Sequence, residues 1–280
     1  MKYVTLNNGI KMPILGYGVL QIVDQEERER CVLDAIEVGY RLIDTAQSYD
    51  NEEAVGKAIK KCGVPREELF ITTKVWISNA GYEEAKKSIE ESLERLQLDY
   101  LDLLLIHQPF NDYYGAYQAM EEFYKKGTLK AIGVSNFYPD RLIDLIKFNK
   151  IVPAVNHVET HPFNQQIKAQ EIMKKYRVQI QAWAPLVEGK SNIFGNETLK
   201  MIGNKYNKTN AQITLRYLIQ RGIVVIPKTV RKERMAENFN VFDFELTKED
   251  MDVIATLDKG ESLFFSHYDP QAVEYLTSLV

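Results

Sequence analysis

Short apolar runs alternate with amphipathic stretches along the whole chain, and this alternation constrains the fold more than any other feature. The runs are rich in branched residues and do not alternate strictly in polarity, which is typical of strands covered on both faces. They lie near residues 14–18, 41–45, 69–73, 101–106 and 129–134, and three more begin at 152, 178 and 223. Their ends are 22–33 residues apart, except for a last interval of 45 residues. Eight such units predict a (β/α)8 barrel, with a doubly wound parallel sheet as the alternative.

The stretches between the runs have the ends expected of helices. Asp24 and Glu27 form a predicted N-terminal capping pair, and Gly39 ends the helix that follows. Gly127 ends a further helix, and Pro139 opens the next. Helices between successive strands are the crossovers that a parallel sheet needs.

The length of the chain agrees with one barrel. Its 280 residues are close to the roughly 250 residues of a typical barrel of this class, and we expect a single domain over residues 1–280. Residues 1–12 are expected to form a β-hairpin at the bottom of the barrel. The 45-residue interval leaves room for an extra loop.

Composition excludes several classes of partner. The chain carries 35 Lys and Arg against 39 Asp and Glu, a formal charge of −4. It therefore lacks the basic field that nucleic acids or anionic membranes require. No apolar run approaches the ~20 residues of a membrane span, and the N-terminus lacks the apolar core of a signal peptide. Two cysteines, Cys31 and Cys62, are too few for a disulfide framework or a zinc site. We expect a cytoplasmic protein without a metal, and nothing in the sequence requires more than a monomer.

Ionisable residues lie at the carboxyl ends of three of the predicted strands, the end where barrels keep their active sites. They are Asp44, Lys74 and His107, and Tyr49 lies five residues beyond Asp44. A Lys74 ammonium is expected to lower the pKa of the Tyr49 phenol, Asp44 to hold the lysine charged, and His107 to orient a substrate oxygen. This set suits protonation of a developing alkoxide, hence carbonyl reduction. Any one of these residues alone is better explained as a structural ion pair or a capping group.

A phosphate-binding segment is predicted near the C-terminus, although the phosphate-binding glycine motifs are absent. Lys228 and Thr229 lie between a strand and a helix that carries Arg231 and Arg234. Backbone N–H groups at that helix start, together with the basic side chains, could hold a phosphate. A solvated basic helix start explains the same residues.

At these residues the sequence resembles the aldo-keto reductases over nearly its whole length. The resemblance is carried, in the order and spacing of that family, by the segments LGYGV, LIDTAQSYDNEEAVGKAI, ITTKVW, DLLLIHQP, AIGVSNF, VNHVETHP, AWAPL and IPKTVRKERMAENF. The WAPL segment and the short tail with SLFFSHYDP resemble the bacterial branch that includes diketogluconate and methylglyoxal reductases. The resemblance implies an NADPH-dependent reductase of small aldehydes and ketones on a (β/α)8 barrel.

The resemblance also implies the site residues. The catalytic tetrad matches Asp44, Tyr49, Lys74 and His107, with Tyr49 as general acid. The NADP(H) contacts match Gly18, Val19, Ser135, Asn136, His157, Trp183, Pro185, Leu186, Lys228, Thr229, Arg234, Glu237 and Asn238. Within that set, Ser135 and Asn136 match the carboxamide-binding pair and Trp183 the residue that stacks on the nicotinamide. Lys228, Thr229 and Arg234 match the clamp on the adenosine 2′-phosphate, which favours NADP over NAD. Glu237 and Asn238 match adenine contacts, and Pro185 and Leu186 follow along the cofactor.

Three residues depart from the family pattern. His157 stands where a glutamine usually contacts the carboxamide, and a neutral imidazole offers a different donor geometry. Gln108 replaces a tryptophan and Leu20 an aromatic residue, so we expect a wider or more polar substrate pocket, with Trp76 as its aromatic wall. Further candidates for that pocket are Phe110, Tyr113, Phe264 and Phe265.

Two other functions are compatible with a barrel. A cofactor-binding sensor or accessory subunit would bind NADPH with little turnover, but the intact tetrad argues against it. A hydrolase would need a pair of carboxylates flanking one bond. The pairs Glu52–Glu53 and Glu121–Glu122 are adjacent on predicted helices and diverge by about 100°, so they cannot do this.

Overall fold

The computed structural model describes residues 2–22 and 24–280. Two short antiparallel strands, β1 (Tyr3–Thr5) and β2 (Lys11–Pro13), form a hairpin. Eight further strands form one parallel sheet in chain order: β3 (Tyr17–Gly18), β4 (Leu42–Asp44), β5 (Phe70–Val75), β6 (Leu103–Ile106), β7 (Ile132–Ser135), β8 (Val155–Glu159), β9 (Gln179–Trp183) and β10 (Val224–Val225).

This sheet closes on itself. Each strand from β3 to β10 pairs with the next one along the chain. The last strand then bonds to the segment just before the first: Val225 N donates to Ile14 O (3.0 Å), and Gly16 N donates to Val225 O (2.8 Å). A doubly wound sheet has open edges and a reversal of strand order. The predicted (β/α)8 barrel is therefore confirmed.

The strands begin and end within three residues of the predicted runs. Every residue of β4 to β8 is buried, which explains why these runs do not alternate in polarity. The largest shifts at strand starts are three residues, in β3, β7 and β8, and β8 begins at Val155 rather than at residue 152. Pro153 lies between them and has no N–H to donate to the ladder.

The described residues contain eleven α-helices, most of which cover the outside of the barrel. They are α1 (Gln25–Val38), α2 (Glu52–Lys61), α3 (Tyr82–Leu96), α4 (Tyr113–Lys126), α5 (Pro139–Phe148), α6 (Ile167–Lys175), α7 (Glu197–Tyr206), α8 (Asn210–Gln220), α9 (Lys232–Phe239), α10 (Lys248–Ala255) and α11 (Pro270–Thr277). The 45-residue interval before Lys228 contains two helices, α7 and α8, rather than only an extra loop. In the described part of the chain, no helix has the length and apolar character needed to cross a bilayer.

The predicted helix ends are confirmed. The Asp24 carboxylate accepts a hydrogen bond from Glu27 N (2.8 Å) at the start of α1, and Gly39 ends that helix at φ 121°. Gly127 ends α4 at φ 81°, and Pro139 is the first residue of α5. Positive φ angles favour glycine, which has no Cβ to clash with the preceding turn.

The hairpin covers the bottom of the barrel, as predicted. Asn8 Nδ2 donates to Lys130 O (2.9 Å), just before β7, and Asn7 Nδ2 donates to Pro153 O (3.0 Å), just before β8. Both acceptors lie at the amino ends of strands, opposite to the end where barrels keep their active sites. Met1, which belongs to the predicted hairpin segment, lies outside the described residues.

Candidate active site

Three ionisable side chains lie at the carboxyl ends of neighbouring strands. Asp44 ends β4, Lys74 lies one residue before the end of β5, and His107 directly follows β6. Lys74 Nζ donates hydrogen bonds to an Asp44 carboxylate oxygen and to Thr45 O (2.7 Å). The same nitrogen lies 3.5 Å from the Tyr49 hydroxyl oxygen, and the Tyr49 and His107 ring centroids are 5.6 Å apart. The four side chains singled out by the sequence therefore form one cluster.

Two neighbours of this cluster were missed by the sequence analysis. Gln181 Nε2 donates to the second carboxylate oxygen of Asp44 (3.0 Å), and Ser48 Oγ lies 3.3 Å from His107 Nδ1. Gln181 lies on β9 two residues before Trp183, so the period-two pattern of a strand places both side chains on the same face. That spacing was the signal available for Gln181.

Burial sets the charge states in the cluster. It opposes the ammonium of Lys74, but Asp44 and Tyr49 outweigh it and the pKa of Lys74 is raised. Burial lowers the pKa of His107 well below its ordinary value, and the Lys74 charge lowers it further, so the imidazole is neutral.

The expected net lowering of the Tyr49 pKa is wrong. Burial raises the pKa of this phenol, and the nearby Asp44 carboxylate adds to the rise, while Lys74 only offsets part of it. The sequence reveals the lysine but not how completely the phenol is removed from water. The phenol is therefore fully protonated near neutral pH.

A cavity of about 940 Å³ runs from the cluster to the helix start after β10. The predicted residues that line it are Gly18, Val19, Leu20, Asp44, Tyr49, Trp76, His107, Gln108, Ser135, Asn136, His157, Trp183, Pro185, Leu186, Lys228, Thr229 and Arg234. Lys74 does not line the cavity, but it contacts Asp44 and Tyr49, which do. Glu237 and Asn238 lie on α9 outside the lining, and Glu237 accepts a hydrogen bond from Thr209 Oγ1 (2.7 Å). Their adenine contacts stay a prediction.

The middle of the cavity contains polar groups suited to an amide. Trp183 Nε1 donates to Asn136 Oδ1 (2.9 Å), and Asn136 Nδ2 lies 3.1 Å from Ser135 Oγ. His157 is buried next to them, and neither of its ring nitrogens has a hydrogen-bond partner among residues 2–22 and 24–280. Burial, reinforced by Lys74 and His107, lowers the pKa of His157 well below its ordinary value. A neutral imidazole has one donor and one acceptor, the groups that a carboxamide can satisfy.

The far end of the cavity is basic. Lys228 and Arg234 line it, and within the described part of the chain neither forms a salt bridge with a carboxylate. Arg231 lines it as well and lies 3.5 Å from Glu233. Two cations without a carboxylate partner at the start of α9 fit an anionic phosphate group.

The C-terminal tail closes one side of the cavity. Phe264 and Phe265 line it together with Leu276 of α11. Glu159 holds the tail in place, because its carboxylate accepts hydrogen bonds from Leu263 N (2.9 Å) and Ser262 Oγ (2.5 Å). The other two aromatic candidates do not line the cavity: Phe110 packs in an apolar cluster with Ile77 and Leu276, and Tyr113 packs against Phe137 with ring centroids 5.2 Å apart.

Comparison with known proteins agrees with this geometry. Residues 14–259 match the family described as the aldo/keto reductase family. The chain is 49% identical over 259 residues to a glyoxal reductase of Bacillus subtilis, covering 92% of this chain and 93% of the relative. It is 43% identical to a methylglyoxal reductase of Escherichia coli (strain K12), covering 93% of this chain and 94% of the relative.

Solved structures give the same result. An aldo-keto reductase from a Medee basin deep-sea metagenome library superposes with a TM-score of 0.93 at 43% identity, covering 95% of this chain and 98% of that chain. A Bombyx mori aldo-keto reductase in complex with NADP superposes with a TM-score of 0.91 at 34% identity, covering 98% of this chain and 96% of that chain.

The fold and the cluster define an oxidoreductase that acts on carbonyl groups. This chain belongs to the aldo/keto reductase family. The family predicted from the sequence is confirmed, and so is its bacterial branch.

Proposed function

We propose that this protein reduces small-molecule aldehydes and ketones to alcohols with NADPH, and that Tyr49 supplies the proton. The observation that carries the proposal is the placement of Tyr49, Lys74 and His107 at one end of a cavity whose other end is basic. The glyoxal and methylglyoxal reductases among the relatives support a small carbonyl substrate.

Tyr49 is a suitable proton donor because burial keeps its phenol protonated. An alkoxide that forms at the carbonyl oxygen is a much stronger base than a phenolate, so it takes this proton readily. The Lys74 ammonium, 3.5 Å from the Tyr49 oxygen, then stabilises the phenolate that remains. Asp44 keeps the lysine charged, so the stabilising charge is in place before the substrate reacts.

His107 orients the substrate oxygen. The Ser48 hydroxyl lies 3.3 Å from Nδ1 and can donate a hydrogen bond to it. In a neutral ring the proton is then on Nε2, which donates to the carbonyl oxygen beside Tyr49. The two donors together fix where the carbonyl lies.

Bound NADPH supplies a hydride from the nicotinamide C4 to the carbonyl carbon. We assign Ser135, Asn136 and His157 to its carboxamide and the Trp183 ring to one face of the nicotinamide. Lys228, Thr229 and Arg234 hold the 2′-phosphate, which selects NADPH over NADH. The remaining assigned contacts are Gly18, Val19, Pro185, Leu186, Glu237 and Asn238.

Leu20, Trp76 and Gln108 are assigned to the substrate pocket, which they line beside Tyr49 and His107. We propose further that residues 1–280 form one domain that acts as a cytoplasmic monomer, without nucleic acid, membrane or metal partners. The net charge of −4 supports the absence of nucleic-acid binding.

A label experiment tests the proposal. NADPH deuterated at C4 is mixed with the protein and phenylglyoxal, and the alcohol is analysed by mass spectrometry. We expect one alcohol per NADPH oxidised, with deuterium on the new carbinol carbon for one of the two C4 epimers. NADPH that binds but reduces none of a panel of aldehydes and ketones would refute the proposed activity.

A further inference from the structure

Gln108 is held in one orientation by a chain of hydrogen bonds that starts at a tryptophan. An indole N–H can only donate, so the bond from Trp183 Nε1 (2.9 Å) identifies the oxygen of the Asn136 amide. Asn136 Nδ2 must then be a donor, and it lies 3.3 Å from Gln108 Oε1. If the Gln108 amide were turned over, two N–H groups would face each other.

The C-terminal tail fixes the same oxygen from the other side. His267 Nε2 lies 2.7 Å from Gln108 Oε1. Burial lowers the pKa of His267 to about 4, so its ring is neutral and carries a single N–H. Since Oε1 can only accept, that N–H is on Nε2. His267 is itself packed between Phe110 and Phe265, with ring centroids 5.6 and 5.2 Å from its own.

This arrangement leaves the other end of the Gln108 amide for a ligand. Nε2 has no hydrogen-bond acceptor in the described part of the chain, and it is not among the polar atoms that are sealed from solvent. Gln108 is 6% exposed and lines the cavity next to His107. Its two N–H groups therefore face the space where the substrate binds.

We propose that Gln108 is a specificity-determining residue whose Nε2 donates to a second oxygen close to the reacting carbonyl, and that His267 is the positioning residue that holds it. The proposal rests on the proposed function, because it places the substrate between Tyr49 and His107. A substrate with only one oxygen displaces water from this donor without giving it an acceptor, and so binds less well. His267 lies beyond the segment 14–259 that matches the family, so this contact belongs to the tail of this chain.

Two substrates of similar shape test the contact. Phenylglyoxal carries a second oxygen next to its aldehyde, and phenylacetaldehyde does not. The selectivity is kcat/KM for phenylglyoxal divided by kcat/KM for phenylacetaldehyde. Dividing the selectivity of Gln108→Leu by that of the unaltered protein gives a ratio from which the difference in intrinsic reactivity of the two aldehydes cancels. We expect this ratio to fall about three- to tenfold, the range for one hydrogen bond. Gln118→Leu, on the exposed side of α4, is the matched control and leaves it unchanged.

The role of His267 has its own pair of variants. His267→Leu removes the N–H that holds Gln108 and is expected to lower the same ratio, whereas His267→Gln keeps an N–H and retains most of it. Equal losses for both substrates in Gln108→Leu would mean that the residue only supports the fold of the pocket, and the proposal would be wrong.

A binding measurement separates this proposal from the proposed function. The corresponding alcohols, 2-hydroxyacetophenone and 2-phenylethanol, are titrated against the protein with NADP⁺, and the fluorescence of Trp76 and Trp183 is followed, since both line the cavity. Gln108→Leu is expected to weaken only the first alcohol, about three- to tenfold. The same binding result is expected even if the protein reduces neither aldehyde. The absence of reduction would refute the proposed activity but not the role of Gln108. Equal weakening of both alcohols would overturn the role of Gln108.

Discussion

We expect Asp44→Asn to destabilise the protein by about 3–5 kcal/mol, the cost of leaving one partner of a buried ion pair without the other. The Lys74 side chain is 0% exposed and that of Asp44 is 1% exposed, so water cannot replace the lost charge. Asparagine does not restore the interaction, because its amide oxygen can accept a hydrogen bond from Lys74 Nζ but carries no charge to balance the buried ammonium.

The size of the effect can be measured by thermal unfolding. At ~2.1 cal/mol/K per residue, the 280 residues have an unfolding entropy of about 0.6 kcal/mol/K. A loss of 3–5 kcal/mol therefore lowers the Tm by about 5–8 °C. Asp252→Asn is the matched control: its carboxylate lies 2.6 Å from Lys248 Nζ, but the side chains are 64% and 81% exposed. An exposed pair of this kind contributes less than about 1 kcal/mol, so its Tm is expected to change by less than about 2 °C.

The pH dependence gives a second check on the same variant. The pKa of Lys74 is raised in the folded protein, so its stabilisation is complete below the unfolded-state pKa of about 10.4 and is lost as the pH rises through the folded pKa. In Asp44→Asn, burial still opposes the Lys74 ammonium, and the carboxylate that favours it most is gone. The difference in stability between the two proteins should therefore shrink as the pH rises toward and beyond about 10.4. An Asp44→Asn protein that unfolds within 1 °C of the Asp252→Asn control would refute the reasoning.

Two further predictions concern the cofactor residues. In fluorescence titrations, Arg234→Ala is expected to weaken NADPH binding about three- to tenfold and to leave NADH binding unchanged. Lys232→Ala is the control, because the Lys232 side chain pairs with Glu37 (2.7 Å). Equal weakening of both nucleotides would contradict the 2′-phosphate contact. The folded-state pKa of His157 is lowered, so the unfolded chain binds an extra proton below about pH 6.5 and the protein loses about 1.4 kcal/mol per pH unit there. The free energy of unfolding, measured in urea, should fall by about 2 kcal/mol less for His157→Gln than for the unaltered protein when the pH is lowered from 7 to 5. Equal falls in the two proteins would show that His157 is charged in the folded state.

The barrel and the clustering of Asp44, Tyr49, Lys74 and His107 could be predicted because both follow from local patterns. Strand ends are readable from apolar runs, and a parallel barrel brings every carboxyl end to the same rim, so Asp44, Lys74 and His107 had to lie close together. Tyr49 is only five residues from Asp44 and is carried to the same place. The resemblance to the family added the cofactor and the residues proposed to contact it.

What could not be predicted depends on burial and on contacts between distant segments. The direction of the Tyr49 pKa shift is set by how far the phenol is removed from water, which only the packed structure shows. The contact between His267 and Gln108 joins residues 159 positions apart, and no periodicity points to it. Gln181 could have been predicted, because it lies on the same strand face as Trp183.

The most direct test of the account compares Tyr49→Phe with the unaltered protein in a single-turnover reaction. Phenylalanine keeps the ring and removes only the hydroxyl that lies 3.5 Å from Lys74 Nζ. We predict that the variant binds NADPH within a few-fold of the normal affinity while the formation of alcohol is abolished. A Tyr49→Phe protein that reduces phenylglyoxal at a normal rate would contradict it.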